Sequence, residues 1–270
     1  HEWARTDPAP ARRERSTRRA VDLLLGPLVA FELGRIYDAS EVRLEIQPQL
    51  IANPWPGGRL RASWIVPVSN DFRPTTLNPD IGRPRPGPVT VEHYAWWRGV
   101  GLASGTAGLL GDNRWGFSIG LARPLRQGLV LLDAQVDRTG FFAWEDGGVT
   151  YSTPSLWTGF AGLTVRPPQL DVALRARAAR YLYGDDGVEF ELRRGMGDVD
   201  LAFFTSWSED VRVSGVRLTL PVPPLTRPTG SAVRVLPVPR FAMEYRDEAT
   251  PFGVGLVETA SREDLLEDLA

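Results

Sequence analysis

The 270-residue chain has no cysteine, no lysine, two histidines and two methionines. Without cysteine there is no disulfide framework and no thiolate metal site. His1 and His93 lie far apart, so a zinc site lacks its ligands and no metal or other cofactor is expected. All 31 basic residues are arginine, which reads as genomic base composition ahead of any functional preference. The formal net charge of -2 gives no global basic signal, so nucleic acid is not an expected partner. No apolar run reaches the roughly 18 residues that a transmembrane helix requires. That absence leaves a transmembrane β-barrel open, because its strands are only half apolar. No phosphate-binding Gly-Lys loop occurs, and Ser104 and Ser214 lie in no Gly-x-Ser-x-Gly context. No signal peptide precedes His1, which suggests a processed form or an excised domain.

Alternation at period two fills most of the chain. Val172, Leu174, Ala176 and Ala178 alternate with Asp171, Arg175 and Arg177, and Val188, Phe190 and Leu192 with Glu189, Glu191 and Arg193. Val199, Leu201 and Phe203 alternate with Asp198 and Asp200, and Val216, Leu218 and Leu220 with Arg217 and Thr219. A strand points successive side chains to opposite faces, so each segment has one apolar and one charged face. Gly184-Asp185-Asp186-Gly187 and Gly195-Met196-Gly197 supply the hairpin turns. The same rhythm runs through Val42–Leu50, Leu60–Val66, Val89–Trp97, Trp115–Leu121, Val130–Val136 and Trp157–Val165. Ser69–Pro88 reads as a long loop, and Pro221–Pro239 breaks the rhythm. Phe241–Arg246 and Phe252–Glu258 suggest a last hairpin. Arg18–Tyr37 is ambiguous: a kinked helix and two strands meeting at Gly26-Pro27 fit about equally.

The expectation is an all-β fold, an antiparallel up-and-down meander of roughly a dozen strands. Residues 1–17 would form a flexible lead, 18–258 a single antiparallel β-barrel domain, and 259–270 a short C-terminal helical tail capped at Ser261. Three features favour a transmembrane barrel over a soluble sandwich. Alternation persists almost throughout, without continuous apolar strands. Aromatic residues gather near strand ends, as in interfacial girdles; Trp64, Trp96, Trp97, Trp115, Trp157, Tyr181, Tyr183 and Trp207 are the candidates. The charged face mixes signs on neighbouring strands, where opposite charges contribute roughly 0.2–1 kcal/mol per pair.

From Arg180 the chain reads Arg-Tyr-Leu-Tyr-Gly-Asp-Asp-Gly, followed by Leu192-Arg193-Arg194. This resembles the strand-turn-strand signature of the YjbH/GfcD-like exopolysaccharide proteins. Other landmarks occur in matching order along the chain: Trp55-Pro56-Gly57-Gly58, Val66-Pro67-Val68-Ser69-Asn70 and Gly111-Asp112-Asn113-Arg114-Trp115-Gly116 before it, Ala202-Phe203-Phe204-Thr205 and Leu220-Pro221 after it. The resemblance spans about Glu41 to Pro224. Family members are considerably longer, and the Gly/Phe/Asp/Lys-rich stretch before the last matching strand is missing from Ser206–Ser214. The resemblance implies a non-enzymatic outer-membrane β-barrel of a Gram-negative bacterium, acting in exopolysaccharide or capsule secretion or assembly. Its expected partners are outer-membrane lipid, polysaccharide and other export proteins.

Candidate lumen contacts for polysaccharide are Arg175, Arg177, Glu189, Glu191, Arg193, Asp198, Asp200 and Arg217. Arginines would attract acidic sugars; in the competing reading they neutralise Asp and Glu on adjacent strands. A carboxylate pair also invites glycoside hydrolysis, but Glu189 and Glu191 fit a charge ladder better and no catalytic residue is assigned. A soluble carbohydrate-binding β-sandwich and a polysaccharide-modifying enzyme are the alternatives.

Overall fold

A computed structural model describes residues 21–33, 40–71, 82–111, 113–145, 148–209, 211–223, 233–247 and 255–257. The lead at 1–17 and the helix expected over 259–270 lie outside the described residues. The fold is all-β. Fifteen strands form one sheet that closes on itself, so the two-sheet sandwich is not the architecture.

The strands are β1 (Val21–Leu33), β2 (Ser40–Ala52), β3 (Gly58–Asn70), β4 (Arg85–Trp97), β5 (Gly101–Gly111), β6 (Arg114–Leu125), β7 (Val130–Glu145) and β8 (Gly148–Tyr151). They continue with β9 (Leu156–Val165), β10 (Val172–Arg180), β11 (Asp186–Met196), β12 (Val199–Ser208), β13 (Val211–Pro221), β14 (Val233–Pro237) and β15 (Arg240–Arg246). Each pairs antiparallel with its sequence neighbour from β1 round to β13, with β8 standing off the circuit on β7. β14 and β15 together take one position beside β1, which gives a closed barrel of thirteen strands. An up-and-down path of odd length starts and ends in the same direction, so its closing pair must be parallel. That is what closes this barrel: Val21–Leu25 pair with Val233–Pro237, and Val29–Ala30 with Met243–Glu244, both parallel. Asp22 and Arg234 clamp the seam with Nε–Oδ1 and Nη2–Oδ2 contacts of 2.6 and 2.7 Å.

Several expectations are revised. Gly26-Pro27 neither kinks a helix nor separates two strands; β1 runs straight through it. β14 forms inside the proline-rich run. Of the last hairpin, Phe241–Arg246 is strand and Gly255–Val257 is not; the rest of its second arm lies outside the described residues.

The barrel has its polar residues inside and its apolar residues outside. On β6, Phe117, Ile119 and Leu121 are exposed, whereas Gly116, Ser118, Gly120 and Ala122 are buried. On β7, Asp133, Gln135, Asp137 and Thr139 are buried beside exposed Leu132 and Val136. Ile119 is 63% exposed, while Glu45, Glu92 and Asp137 are at most 1% exposed. A water-soluble core has the opposite distribution.

Glycines bend the wall where strands crowd. Gly108 and Gly116 face each other across β5 and β6, with φ of +134° and +148°. A Cβ at Gly116 would lie 2.1 Å from the Arg138 carbonyl oxygen. Gly116→Ala is therefore expected to destabilise the barrel by about 1–3 kcal/mol, measured as a lower urea midpoint.

Upper-rim turns join β10 to β11 and β12 to β13; lower-rim turns join β2 to β3, β4 to β5 and β11 to β12. The β7–β8 hairpin leans over the outer wall at the upper rim. There Trp115 meets Tyr151 and Trp64 meets Trp144, both edge-to-face. Phe142 and Val149 line the same apolar groove with Val89 and Leu109.

Candidate functional site: a charged lumen

Strand parity aims two clusters of charge into the barrel. The first lies on β7, β10, β11, β13 and β15. Arg175 sits opposite Glu191, and Arg177 opposite Glu189, as direct cross-strand pairs. Glu191 is the hub. Its carboxylate accepts hydrogen bonds from Arg217 Nη1 at 2.9 Å and Arg193 Nη2 at 3.0 Å, with Arg175 Nη1 at 3.6 Å. Arg217 also donates through Nε to Glu244 at 2.7 Å. Arg177 faces Glu189 at 3.5 Å and Asp133 at 3.9 Å. Inward aromatic rings carry the guanidinium groups: Arg177 stands over Phe160 and Arg217 over Phe204.

The second cluster lies on β2, β3 and β4. Glu45 takes a two-point contact from Arg85 at 2.7 and 3.1 Å, with Arg43 at 3.5 Å. Glu92 accepts from Thr90 at 2.8 Å and from the Tyr94 hydroxyl at 2.5 Å, with Arg61 at 3.6 Å and Arg59 at 3.9 Å. Further along β7, Gln135 donates to Asp137 at 3.0 Å.

Of the candidates read from the sequence, Arg175, Arg177, Glu189, Glu191, Arg193 and Arg217 come together in the first cluster. Asp200 faces inward at the lower end of β12, where Arg240 donates to it at 3.0 Å. Asp198 is not in the lumen: it sits exposed in the β11–β12 turn, because the strand begins only at Val199. The four arginines proposed for sugar contact all face carboxylates: Arg175, Arg177 and Arg217 across strands, and Arg193 along its own strand.

Sequence reasoning missed the second cluster as a site. Its signal was present, since Arg43 and Glu45 alternate with Val42, Leu44 and Ile46. Arg85 was hidden in the apparent loop between Ser69 and Pro88.

The aromatic candidates divide by height. Trp115, Trp157, Tyr183 and Trp207 stand near the upper rim, and Trp96 and Trp97 at the lower one. Trp64 lies midway along β3 and points outward. Tyr181 is no girdle residue. It is fully buried, because the β10–β11 turn folds inward, and burial pushes its phenol up to about 12. That turn is pinned by Arg114, whose Nη2 donates to the Leu182 carbonyl at 2.8 Å, and by Ser208, whose hydroxyl donates to Asp185.

No family model, curated protein or solved structure matches this chain.

Proposed function

We propose that this chain is an outer-membrane β-barrel of a Gram-negative bacterium that serves, without chemistry of its own, in the export or assembly of an exopolysaccharide. The observation that carries the membrane part is the reversed distribution of side chains, apolar outward and charged inward. Water penalises a continuous apolar outer wall, whereas hydrocarbon requires one. The closed circuit leaves no sheet edge within the wall, as a lipid-facing sheet requires. A β-barrel fold is compatible with that location. The exopolysaccharide part is supported by the ordered landmarks from Trp55-Pro56-Gly57-Gly58 to Leu220-Pro221. It is also supported by a lumen that offers guanidinium groups and aromatic faces together, the pairing that suits sugar hydroxyls and acidic sugars.

In detergent extracts, unboiled protein is expected to migrate as a compact band that shifts after boiling. Cells lacking the protein are expected to show less polysaccharide at their surface, and re-expression to restore it. A normal surface polymer in those cells would remove the export role while leaving the barrel reading intact.

A further inference from the structure

The segment Gly255–Val257 runs inside the barrel. The Gly255 carbonyl accepts a hydrogen bond from Leu182 N at 2.9 Å, at the inward-folded β10–β11 turn. The Val257 carbonyl accepts one from Gln135 Nε2 at 3.0 Å. Gln135 is buried near the middle of the stretch of β7 that pairs with β6, so the segment reaches down toward the centre of the lumen. Val257 is buried against Leu110 and Leu182, and these three form an apolar cluster inside the barrel. Its anchors lie on β5, on β7 and on the β10–β11 turn where that turn folds inward to Arg114 of β6, so the described residues sit within the lumen against the β5–β7 wall. The barrel circuit closes through β1, β14 and β15 without it. Among the described residues the segment holds no strand pairing, so its release leaves the ladder of the wall intact.

We propose that Gly255–Val257 is an internal plug that narrows the passage through the lumen, and that its withdrawal opens the pore. This rests on the membrane-barrel reading and adds to it how passage would be controlled. A polymer or partner that competes for Leu182 N–H and Gln135 would displace the described part of the plug.

The protein has no native cysteine, so introduced pairs report cleanly. A Cβ at Gly255 would lie 3.5 Å from the Leu182 Cβ, at the short end of the roughly 3.5–4.5 Å that a disulfide spans. The full chain carrying Leu182→Cys and Gly255→Cys is expected to form this disulfide while folded, whereas each single variant stays reduced. Val257→Asp should expel the plug and raise conductance in a planar lipid bilayer several-fold over the parent. Adding the oxidised pair to Val257→Asp should return conductance to near the parent value, and reductant should release it. Failure of the disulfide to form, or an unchanged conductance in Val257→Asp, in protein that keeps its heat-dependent mobility would overturn the plug alone. Loss of the heat shift in the parent itself would overturn the membrane barrel and the plug with it.

Discussion

Glu191→Leu is expected to cost the barrel about 3 kcal/mol, the low end of the range for breaking a buried ion pair. The side chain is 2% exposed, and three guanidinium groups converge on it. Removing the carboxylate leaves those charges facing one another across β10, β11 and β13. Arg193 and Arg217 keep partial contact with water, which relieves some of the repulsion and places the cost at the low end. Glu191→Gln keeps one acceptor oxygen and should cost less, about 1–2 kcal/mol. Arg217 retains Glu244, so the double variant Glu191→Leu/Arg217→Leu, which takes a cation from Glu244 as well, should recover little of the loss. Urea unfolding in lipid vesicles, followed by tryptophan fluorescence, reads all three. An unchanged midpoint for Glu191→Leu would mean that the hub does not hold the strands together.

Ile119→Arg separates the lipid-facing wall from a water-facing one. Ile119 stands mid-strand on β6, 63% exposed and beside Val136 on β7. On a surface facing water such a change is worth within about 0.5 kcal/mol either way. At the midplane of a bilayer an outward arginine costs about 2–4 kcal/mol, and near the interface only about 0–1. Ile119→Arg is therefore expected to lower stability by about 2–4 kcal/mol, while Val68→Arg, near the upper end of β3, should cost about 0–1 kcal/mol. Equal, small effects at both positions would place the outer wall in water.

Much of the wall was legible from period two, because one rule decides both where a strand runs and which residues face inward. Val188–Arg193 shows this most clearly. Every apolar residue in it points outward and every charged one inward. The same parity contained the answer for Tyr181, which continues the inward set of Arg175, Arg177 and Ala179 past the end of β10. Its place near a strand end points instead to a girdle, because aromatics there favour interfaces on average.

What was not legible depends on partners distant in sequence. β14 has five residues, ends in proline and pairs in parallel, so it carries no hairpin signal. Its placement beside β1 follows only from closing thirteen strands. β1 puts Leu24 and Leu28 on the inward face, where they break the alternation that marked the other strands. The apolar spacing of Phe252–Glu258 resembles a strand, yet Val257 is held by Leu110, Leu182 and Gln135, each more than seventy residues away.

On the membrane reading, the outward apolar face of the barrel lies in hydrocarbon. The most direct test introduces single cysteines at Phe117, Ser118, Ile119, Gly120 and Leu121 of the cysteine-free chain, attaches a nitroxide to each, and measures collision with oxygen and with a water-soluble nickel chelate in lipid vesicles. Oxygen collisions should peak at 117, 119 and 121 and fall at 118 and 120, with the nickel chelate excluded from the odd positions. Free access of the nickel chelate to 117, 119 and 121 would contradict the account.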